Sequence, residues 1–216
     1  MRFEAVLFDC DGVLVDSEPV VNRVLREMLA ERGWVLTEEE CLALFVGKMV
    51  RDEKERIERE TGQPLTEEWL AAFRARRNAA LEEELLVVPN AQAAVHTVHA
   101  RLDARIACAS GADRHKVELQ LRKVGLHRYF DGRIFSGHEM PRSKPYPDVY
   151  LAAAQALAAA PQRCAVVEDT LTGVAAGVAA GATVFAYVPQ GDAEVFRRAG
   201  VAAVLTDMAQ LPAVLA

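Results

Sequence analysis

Short apolar runs, each closed by polar or turn residues, recur along most of the chain. The runs are AVLFD (5–9), RIACAS (105–110), GRIFSG (132–137), CAVVED (164–169), ATVFAYV (182–188) and AAVLTD (202–207). They lack the polar alternation of half-exposed strands, which is typical of strands buried on both faces of a parallel sheet. Segments with helical spacing separate them, among them 116–124 and 148–159. The pattern therefore predicts an α/β fold with a doubly wound parallel sheet.

Residues 17–86 depart from this pattern, because they are helical in spacing, rich in charge and poor in strand signals. Thr37 and Thr66 each precede an acidic run, as the N-cap residue of a helix does. The glycines that stand where helices could end are Gly33, Gly47 and Gly62. We expect four helices inserted after the first core strand, so that residues 1–16 and 87–216 form the core and residues 17–86 a separate subdomain.

Composition narrows the class of protein further. The 216 residues include 51% hydrophobic and 26% charged residues, as in ordinary soluble globular proteins. The net charge of −6 offers no basic surface for nucleic acid, although a few local cations can still dominate a cleft for a small anion.

No apolar stretch approaches the roughly 20 residues of a membrane span, and no signal peptide is recognisable. The four scattered cysteines are expected to be reduced thiols. We expect a cytoplasmic protein with neither nucleic acid nor membrane as partner; its oligomeric state is open, a monomer being favoured.

Polar residues that can bind metal ions or phosphate end several of the apolar runs. Because the carboxyl ends of parallel strands meet at one edge of a sheet, these side chains should face one crevice. The set comprises Asp9, Asp11, Ser110, Lys144, Glu168 and Asp169. Two carboxylates so close in sequence are costly to bury unless a cation or hydrogen bonds compensate them.

The chemistry of this set is that of phosphoryl transfer. Hard carboxylate oxygens such as those of Asp9 and Asp169 suit Mg²⁺. The Asp9 carboxylate can also attack phosphorus, and Asp11, two residues further on, can protonate a leaving oxygen. Ser110 and Lys144 can hold the phosphoryl group through a hydroxyl and a positive charge. Phosphoryl transfer needs little beyond such positioning and electrostatic stabilisation.

Four motifs in order along the chain resemble those of the haloacid dehalogenase-like hydrolase superfamily. They are DCDGVLVDSE (9–18), Ser110 at a strand end, SKPYPDVY (143–150) and VVEDTLTGVAAGVAAG (166–181). The chain is similar above all to the β-phosphoglucomutase-like and sugar-phosphate phosphatase subgroup. Within it, FVGK (45–48) and IFSGHEMPRSKP (134–145) resemble 6-phosphogluconate phosphatase-type members. The resemblance implies a Rossmann-like core, an α-helical cap over residues 17–86, and a Mg²⁺-dependent phosphatase of a small phosphorylated metabolite, favouring a sugar phosphate.

The resemblance also implies roles for individual residues. Asp9 would be the nucleophile that forms an aspartyl-phosphate, and Asp11 the general acid and base, with Ser110 and Lys144 completing the catalytic set. The residues that would hold Mg²⁺ are Asp9 and Asp169 directly, Asp11 through its backbone carbonyl and Glu168 through water. The residues around the phosphoryl group would be Asp9, Cys10, Asp11, Gly12, Ser110, Gly111 and Lys144.

Other interpretations stay open for some of these positions. Ser110 could instead be the N-cap of the helix that follows residue 113. Glu168 and Asp169 could cap the next helix, since acidic residues stabilise helix N-termini. The positions that could contact the substrate, or simply be exposed cations, are Lys48, Arg114 and Arg142.

The alternative activity is that of a β-phosphoglucomutase-like phosphomutase. Val21 stands where those mutases have a His, and the loop LFVGKMVRDE (44–53) lacks their Ser-Arg pair, so both positions favour hydrolysis. A 2-haloacid dehalogenase fits less well, because such relatives lack the second Asp and need no metal. A receiver-like signalling module is about half this length and has no helical insertion.

Overall fold

The computed structural model describes residues 2–46 and 48–216, so the expected helix end at Gly47 lies outside the described residues. The described chain divides into two compact units. The first, which we call the core unit, comprises the residues up to Asp16 together with Leu86–Ala216. The second, the helical unit, comprises Ser17–Leu85. None of the described helices has the length and apolar character that crossing a membrane requires.

The secondary structure alternates between strands and helices through most of the core unit. The strands are β1 (Ala5–Phe8), β2 (Val15–Asp16), β3 (Leu86–Val87), β4 (Ile106–Ser110), β5 (Ile134–Ser136), β6 (Cys164–Glu168), β7 (Thr183–Tyr187) and β8 (Ala203–Leu205). The α-helices are α1 (Glu18–Ala30), α2 (Glu38–Phe45), α3 (Lys54–Thr61), α4 (Glu67–Glu84), α5 (Ala91–Arg101), α6 (Arg114–Lys123), α7 (His127–Phe130), α8 (Asp148–Ala156), α9 (Leu171–Ala179), α10 (Ala193–Arg198) and α11 (Leu211–Val214).

Within the described residues, six strands of the core unit form one parallel sheet in the order β5-β4-β1-β6-β7-β8. The central strand β1 lies between β4 and β6, with Val6 opposite both Ile106 and Ala165. Every residue of β1, β4 and β6 is buried, which explains why these runs lack polar alternation. The predicted doubly wound parallel sheet is confirmed. Because the strand order reverses at β1, the carboxyl end of β1 is where such a sheet forms its ligand crevice.

Local sequence explains where the core helices begin and end. The helix expected over 148–159 stops at Ala156, because Ala158 adopts the left-handed conformation with φ 51°, which ends an α-helix. The helix expected over 116–124 begins earlier, at Arg114, because the Asp113 side chain accepts a hydrogen bond from the Lys116 backbone N–H at 2.9 Å. All four cysteines are buried and free, as expected.

The helical unit packs α1, α2, α3 and α4 around its own apolar cluster, which includes Leu25, Leu29, Ile57 and Phe73. The predicted N-caps are confirmed: the Thr37 hydroxyl accepts from the Glu40 N–H, and the Thr66 hydroxyl from the Trp69 N–H. Other ends of these helices are set by glycine. Gly62 ends α3 with φ 64°, and Gly33, with φ 87°, follows α1.

β2 and β3 form a short antiparallel pair that the sequence pattern did not predict. Val15 lies opposite Val87, and Asp16 opposite Leu86. The residues that precede the helical unit are therefore paired with those that follow it, and the chain leaves and re-enters the core unit at neighbouring positions.

Candidate active site

Asp9 follows β1 directly and lies at the edge of the sheet where β1 and β6 end. Its backbone N–H donates to the Val167 carbonyl at 3.0 Å, which continues the strand pairing and fixes the direction of the carboxylate. The Lys144 ammonium donates to Asp9 Oδ1 at 2.6 Å and to Glu168 Oε1 at 2.6 Å. Asp9, Lys144 and Glu168, widely separated in sequence, therefore meet in the core unit as the sequence predicts.

Glu168, the last residue of β6, is fully buried and hydrogen-bonded through both carboxylate oxygens. Besides Lys144, Oε1 accepts from the Tyr150 hydroxyl at 2.7 Å. Oε2 accepts from the backbone N–H groups of Asp169 at 3.0 Å and Thr170 at 3.2 Å, and from the Thr170 hydroxyl at 3.1 Å. This carboxylate therefore anchors Lys144 and the turn that carries Asp169.

Two glycines make room for these acidic side chains. A Cβ on Gly173 would lie 1.7 Å from Glu168 Oε1, and a Cβ on Gly12 would lie 1.9 Å from Asp169 Oδ2. Gly12 also has φ 76°, a conformation that favours glycine. The two carboxylates thus occupy space that a side chain at Gly173 or Gly12 would otherwise fill.

Burial and the charges of neighbouring groups act in opposite directions on the ionisable side chains of the site. It raises the pKa of Asp9 to about 7, although the positive charge of Lys144 acts in the opposite direction. Burial would also raise the pKa of Glu168, but Lys144 and the hydrogen bonds hold that pKa below its ordinary value. Burial alone would lower the pKa of Lys144, but the Asp9 and Glu168 carboxylates raise it well above its usual range. One ammonium thus faces more than one buried carboxylate, an arrangement that a further cation stabilises.

The carboxylates fit a divalent metal ion. Asp9, Glu168 and Asp169 each offer one oxygen, and these oxygens lie within 4.8 Å of one another. Carboxylate oxygens are the ligands that Mg²⁺ prefers, and the space that Gly12 leaves is filled by the Asp169 carboxylate. The Asp11 carboxylate is not part of this set of three. The ligand expected from Asp11 is its backbone carbonyl oxygen.

Asp11 is held by two residues that sequence reasoning missed. The Lys116 ammonium donates to both Asp11 oxygens at 2.8 Å, and the Gln120 amide donates to Oδ1 at 2.8 Å. Lys116 and Gln120 lie one turn apart on α6, so they share a face. The spacing of four residues is the one sign in the sequence that Lys116 and Gln120 could act together. It was not enough to identify them, because a lysine in an amphipathic helix is usually solvent-exposed.

Ser110 ends β4, the neighbour of β1, and is buried. Its hydroxyl accepts from the Ala112 backbone N–H at 3.1 Å. The alternative that Ser110 caps the next helix is wrong, because Asp113 is the N-cap of α6. The N-cap of α9 is Thr170, not Glu168 or Asp169. The Thr170 hydroxyl accepts from the Gly173 N–H at 3.1 Å.

The cations suggested as substrate contacts are each paired with a carboxylate. Lys48 of the helical unit pairs with Glu53 at 2.9 Å. In the core unit, Arg114 pairs with Glu139 at 2.5 Å and Arg142 with Asp148 at 3.1 Å. All three are substantially exposed, so their roles stay predictions.

The remaining predicted phosphate ligands lie in the two loops that follow β1 and β4. Gly12 follows Asp11 in the loop after β1, and Gly111 follows Ser110 directly after β4. The Cys10 side chain is buried and donates through Sγ to Gln120 Oε1 at 3.6 Å. The contribution predicted for such residues is a backbone N–H group, so the inward direction of the thiol does not conflict with it.

Comparison with known proteins identifies the family of the chain. A family model described as haloacid dehalogenase-like hydrolase matches residues 3–181. The 6-phosphogluconate phosphatase of Escherichia coli K12 is 31% identical over 187 residues, 86% of this chain and 83% of that protein. Hexitol phosphatase B of the same organism is 31% identical over 179 residues, 82% of this chain and 79% of that protein.

A solved structure supports the same relationship. A Deinococcus radiodurans HAD family hydrolase, crystallised with bound phosphate and sodium, has a TM-score of 0.80 and 35% sequence identity. The similarity covers 99% of this chain and 95% of that one. The family match over residues 3–181, together with the four motifs, means that the protein belongs to the haloacid dehalogenase-like hydrolases.

Proposed function

We propose that the protein is a Mg²⁺-dependent phosphatase that hydrolyses a small phosphorylated metabolite, with a sugar phosphate as the favoured class. The observation that carries the proposal is the meeting of Lys144 Nζ with Asp9 Oδ1 and Glu168 Oε1, each at 2.6 Å, beside Asp169. The names of two relatives, a 6-phosphogluconate phosphatase and a hexitol phosphatase, support the substrate class.

The reaction proceeds in two steps through Asp9. In the first, a carboxylate oxygen of Asp9 attacks phosphorus, the bond from phosphorus to the substrate oxygen breaks, and Asp11 donates a proton to that oxygen. In the second, water attacks phosphorus while Asp11 accepts its proton, and the acyl-phosphate bond breaks. Inorganic phosphate and the free Asp9 carboxylate result.

Several groups of the core unit would hold the phosphoryl group. Lys144 places a positive charge beside Asp9, and Ser110 places a hydroxyl at the end of the adjacent strand. Backbone N–H groups in the loops after β1 and β4 can approach phosphoryl oxygens closely, since glycine follows both Asp11 and Ser110.

Asp9, Asp169 and the Asp11 backbone carbonyl would hold Mg²⁺ directly, with Glu168 supporting it through water. When bound, the ion neutralises charge on the phosphoryl group and on the surrounding carboxylates. Such an ion also accounts for the presence of these acids in a buried crevice, where burial raises the pKa of Asp9.

The proposed role of the helical unit is that of a cap. It excludes bulk water during the reaction and supplies substrate selectivity. Lys48, Arg114 and Arg142 are each substantially exposed, and each is a proposed substrate contact that would have to leave its present carboxylate partner.

The test is phosphate release from a panel of sugar phosphates, phosphoglycolate and nucleoside monophosphates with Mg²⁺, comparing the parent protein with Asp9→Asn. We expect selective release by the parent and background release by Asp9→Asn, because an amide is a poor nucleophile. Thermal unfolding verifies that the variant folds. The matched control is Asp131→Asn, which changes an exposed carboxylate of the core unit and should retain activity.

Two results would contradict the proposal. Phosphate release that survives in Asp9→Asn would remove Asp9 as nucleophile. Conversion of a hexose 1-phosphate to the 6-phosphate in the presence of a bisphosphate, without free phosphate, would instead indicate a phosphomutase.

A further inference from the structure

A second ion pair, partly buried, joins Lys116 of α6 to Asp11, two residues after Asp9 in the loop that follows β1. Lys116 is 8% exposed, Gln120 is fully buried, and the side chain of Asp11 is 26% exposed. The Lys116 ammonium contacts Asp11 Oδ1 and Oδ2 at equal distances of 2.8 Å, and Gln120 donates a third hydrogen bond at 2.8 Å. Two donor groups thus form three hydrogen bonds that restrict both the position and the rotation of one carboxylate.

The donors stand on a helix that is itself firmly held. Asp113 caps α6 by accepting from the backbone N–H of Lys116, the residue whose side chain reaches Asp11. Val117 and Leu121, which alternate with the two donors along α6, are fully buried. Lys116 therefore approaches Asp11 from a rigid support rather than from a surface loop.

The orientation of the Gln120 amide is fixed as well. The Cys10 thiol donates to Gln120 Oε1 at 3.6 Å, while Gln120 Nε2 donates to Asp11. The amide is bound at both ends, so its donor group faces the carboxylate. Cys10 lies between Asp9 and Asp11, which means that the bond also connects α6 to the loop carrying both acids.

We propose that Lys116 and Gln120 are positioning residues that hold the Asp11 carboxylate in its working orientation; this inference rests on the proposed function. An acid or base must stay within about 0.5 Å of its productive position to be effective. Asp11 lies beyond the end of β1, where sheet hydrogen bonds no longer fix the side chain. The two α6 donors replace that support, whereas Lys144 acts on Asp9 and Glu168.

The experiment compares Lys116→Met with the parent protein on p-nitrophenyl phosphate, whose leaving group departs readily as an anion. The first step then needs no proton from Asp11, but attack of water still needs Asp11 as base. We expect a rapid burst of nitrophenolate that approaches one equivalent per enzyme, followed by turnover reduced roughly 100-fold, the usual range for general base catalysis. A purely structural role would lower the amount of active enzyme without producing a burst.

Two further variants sharpen the comparison. Gln120→Met removes one of the three hydrogen bonds to Asp11 and should give a smaller reduction of turnover, again with a burst. Lys123→Met changes an exposed lysine at the end of the same helix and should behave as the parent. If Lys116 acts through Asp11, adding Lys116→Met to Asp11→Asn should cost no further activity, because the group that it positions is already lost.

A crystal structure of Lys116→Met gives a readout that does not depend on activity. We expect the Asp11 carboxylate to move or to occupy several orientations while Asp9 and Glu168 stay in place. The inference is overturned if Asp11 keeps its position and turnover stays within twofold of the parent, or if Lys116→Met costs as much in the Asp11→Asn background as alone. Failure of the proposed function would appear differently, as a parent protein without phosphatase activity or an active Asp9→Asn.

Discussion

At the scale of single residues, two lysines from different parts of the chain compensate the acids of the crevice. Lys144 bridges Asp9 and Glu168, and Lys116 binds both oxygens of Asp11. Each ammonium is well buried, with a side-chain exposure of 8% for Lys144 and 10% for Lys116. Removing one partner of such a pair leaves a buried charge uncompensated, which is far more costly than losing an exposed pair.

Glycine at 173 is a residue-scale requirement that can be tested directly. In Gly173→Ala the new methyl group would meet Glu168 Oε1 at 1.7 Å, so the carboxylate or α9 must shift. Overpacking of this kind costs about 1–3 kcal/mol of stability. Helix propensity alone predicts the opposite effect, because replacing Gly with Ala in a helix normally stabilises it by about 1 kcal/mol. Denaturant unfolding measures the stability, and phosphate release reports the displacement of Lys144.

The control for this prediction is Thr172→Ala, the preceding and exposed position of α9, where we expect little change in either measurement. A Gly173→Ala protein as stable and active as the parent would mean that Glu168 can move without consequence. The hydrogen bonds that bind both of its oxygens argue against that.

At the scale of elements, the core strands could be predicted because each is a buried run closed by a polar residue. The run at 105–110, for example, contains β4 (Ile106–Ser110), and the run at 164–169 contains β6 (Cys164–Glu168). Their shared parallel direction was enough to predict that Asp9, Lys144 and Glu168 meet.

Other parts of the site depend on tertiary contacts and left no usable pattern. In the sequence, Lys116 and Gln120 are ordinary polar positions of a helix. Their contacts with Asp11 become evident only in the folded structure. The room that Gly12 leaves for Asp169 depends on two loops brought together by the sheet. The β2–β3 pair is also invisible in the sequence, because two residues per strand are too few to establish a period.

The α2 helix offers an element-scale prediction that concerns the helical unit alone. Thr37 forms a reciprocal cap with Glu40, in which the Thr37 hydroxyl accepts from the Glu40 N–H and the Glu40 carboxylate accepts from the Thr37 N–H. Thr37→Ala should destabilise the helix by about 1 kcal/mol, because an N–H of the first turn loses its partner. Amide hydrogen exchange along α2 measures the effect.

Thr37→Ser is the matched control, since it keeps the hydroxyl and should retain most of the protection. Equal exchange in Thr37→Ala and Thr37→Ser would mean that the cap contributes nothing to α2.

At the scale of the whole molecule, metal binding and folding should be coupled. If Asp9 and Asp169 bind Mg²⁺ only when the sheet brings them together, the ion must stabilise the folded protein against unfolding. At a free concentration about 100 times its dissociation constant, a ligand of the folded state contributes about 2.7 kcal/mol. We therefore expect the melting temperature to rise with Mg²⁺ and to return to its starting value with a chelator.

Asp169→Asn should remove most of this Mg²⁺-dependent rise, whereas Asp131→Asn, far from the proposed ligands in sequence and exposed, should keep it. Thermal scans with and without Mg²⁺ measure the difference for each variant. A melting temperature of the parent that does not respond to Mg²⁺ would contradict the proposed metal site independently of any activity assay.

The pairing of β2 with β3 has a consequence for how such enzymes diversify. Because Val15 faces Val87 and Asp16 faces Leu86, everything between these strands is attached through two adjacent connections. A recombination event at that point can replace the inserted helical unit with another segment while the order of the strands in the sheet, and hence the alignment of its acids and lysines, is preserved. Grafting a foreign segment between Asp16 and Leu86 would use the same two connections and would show whether the helical unit supplies the selectivity proposed for it.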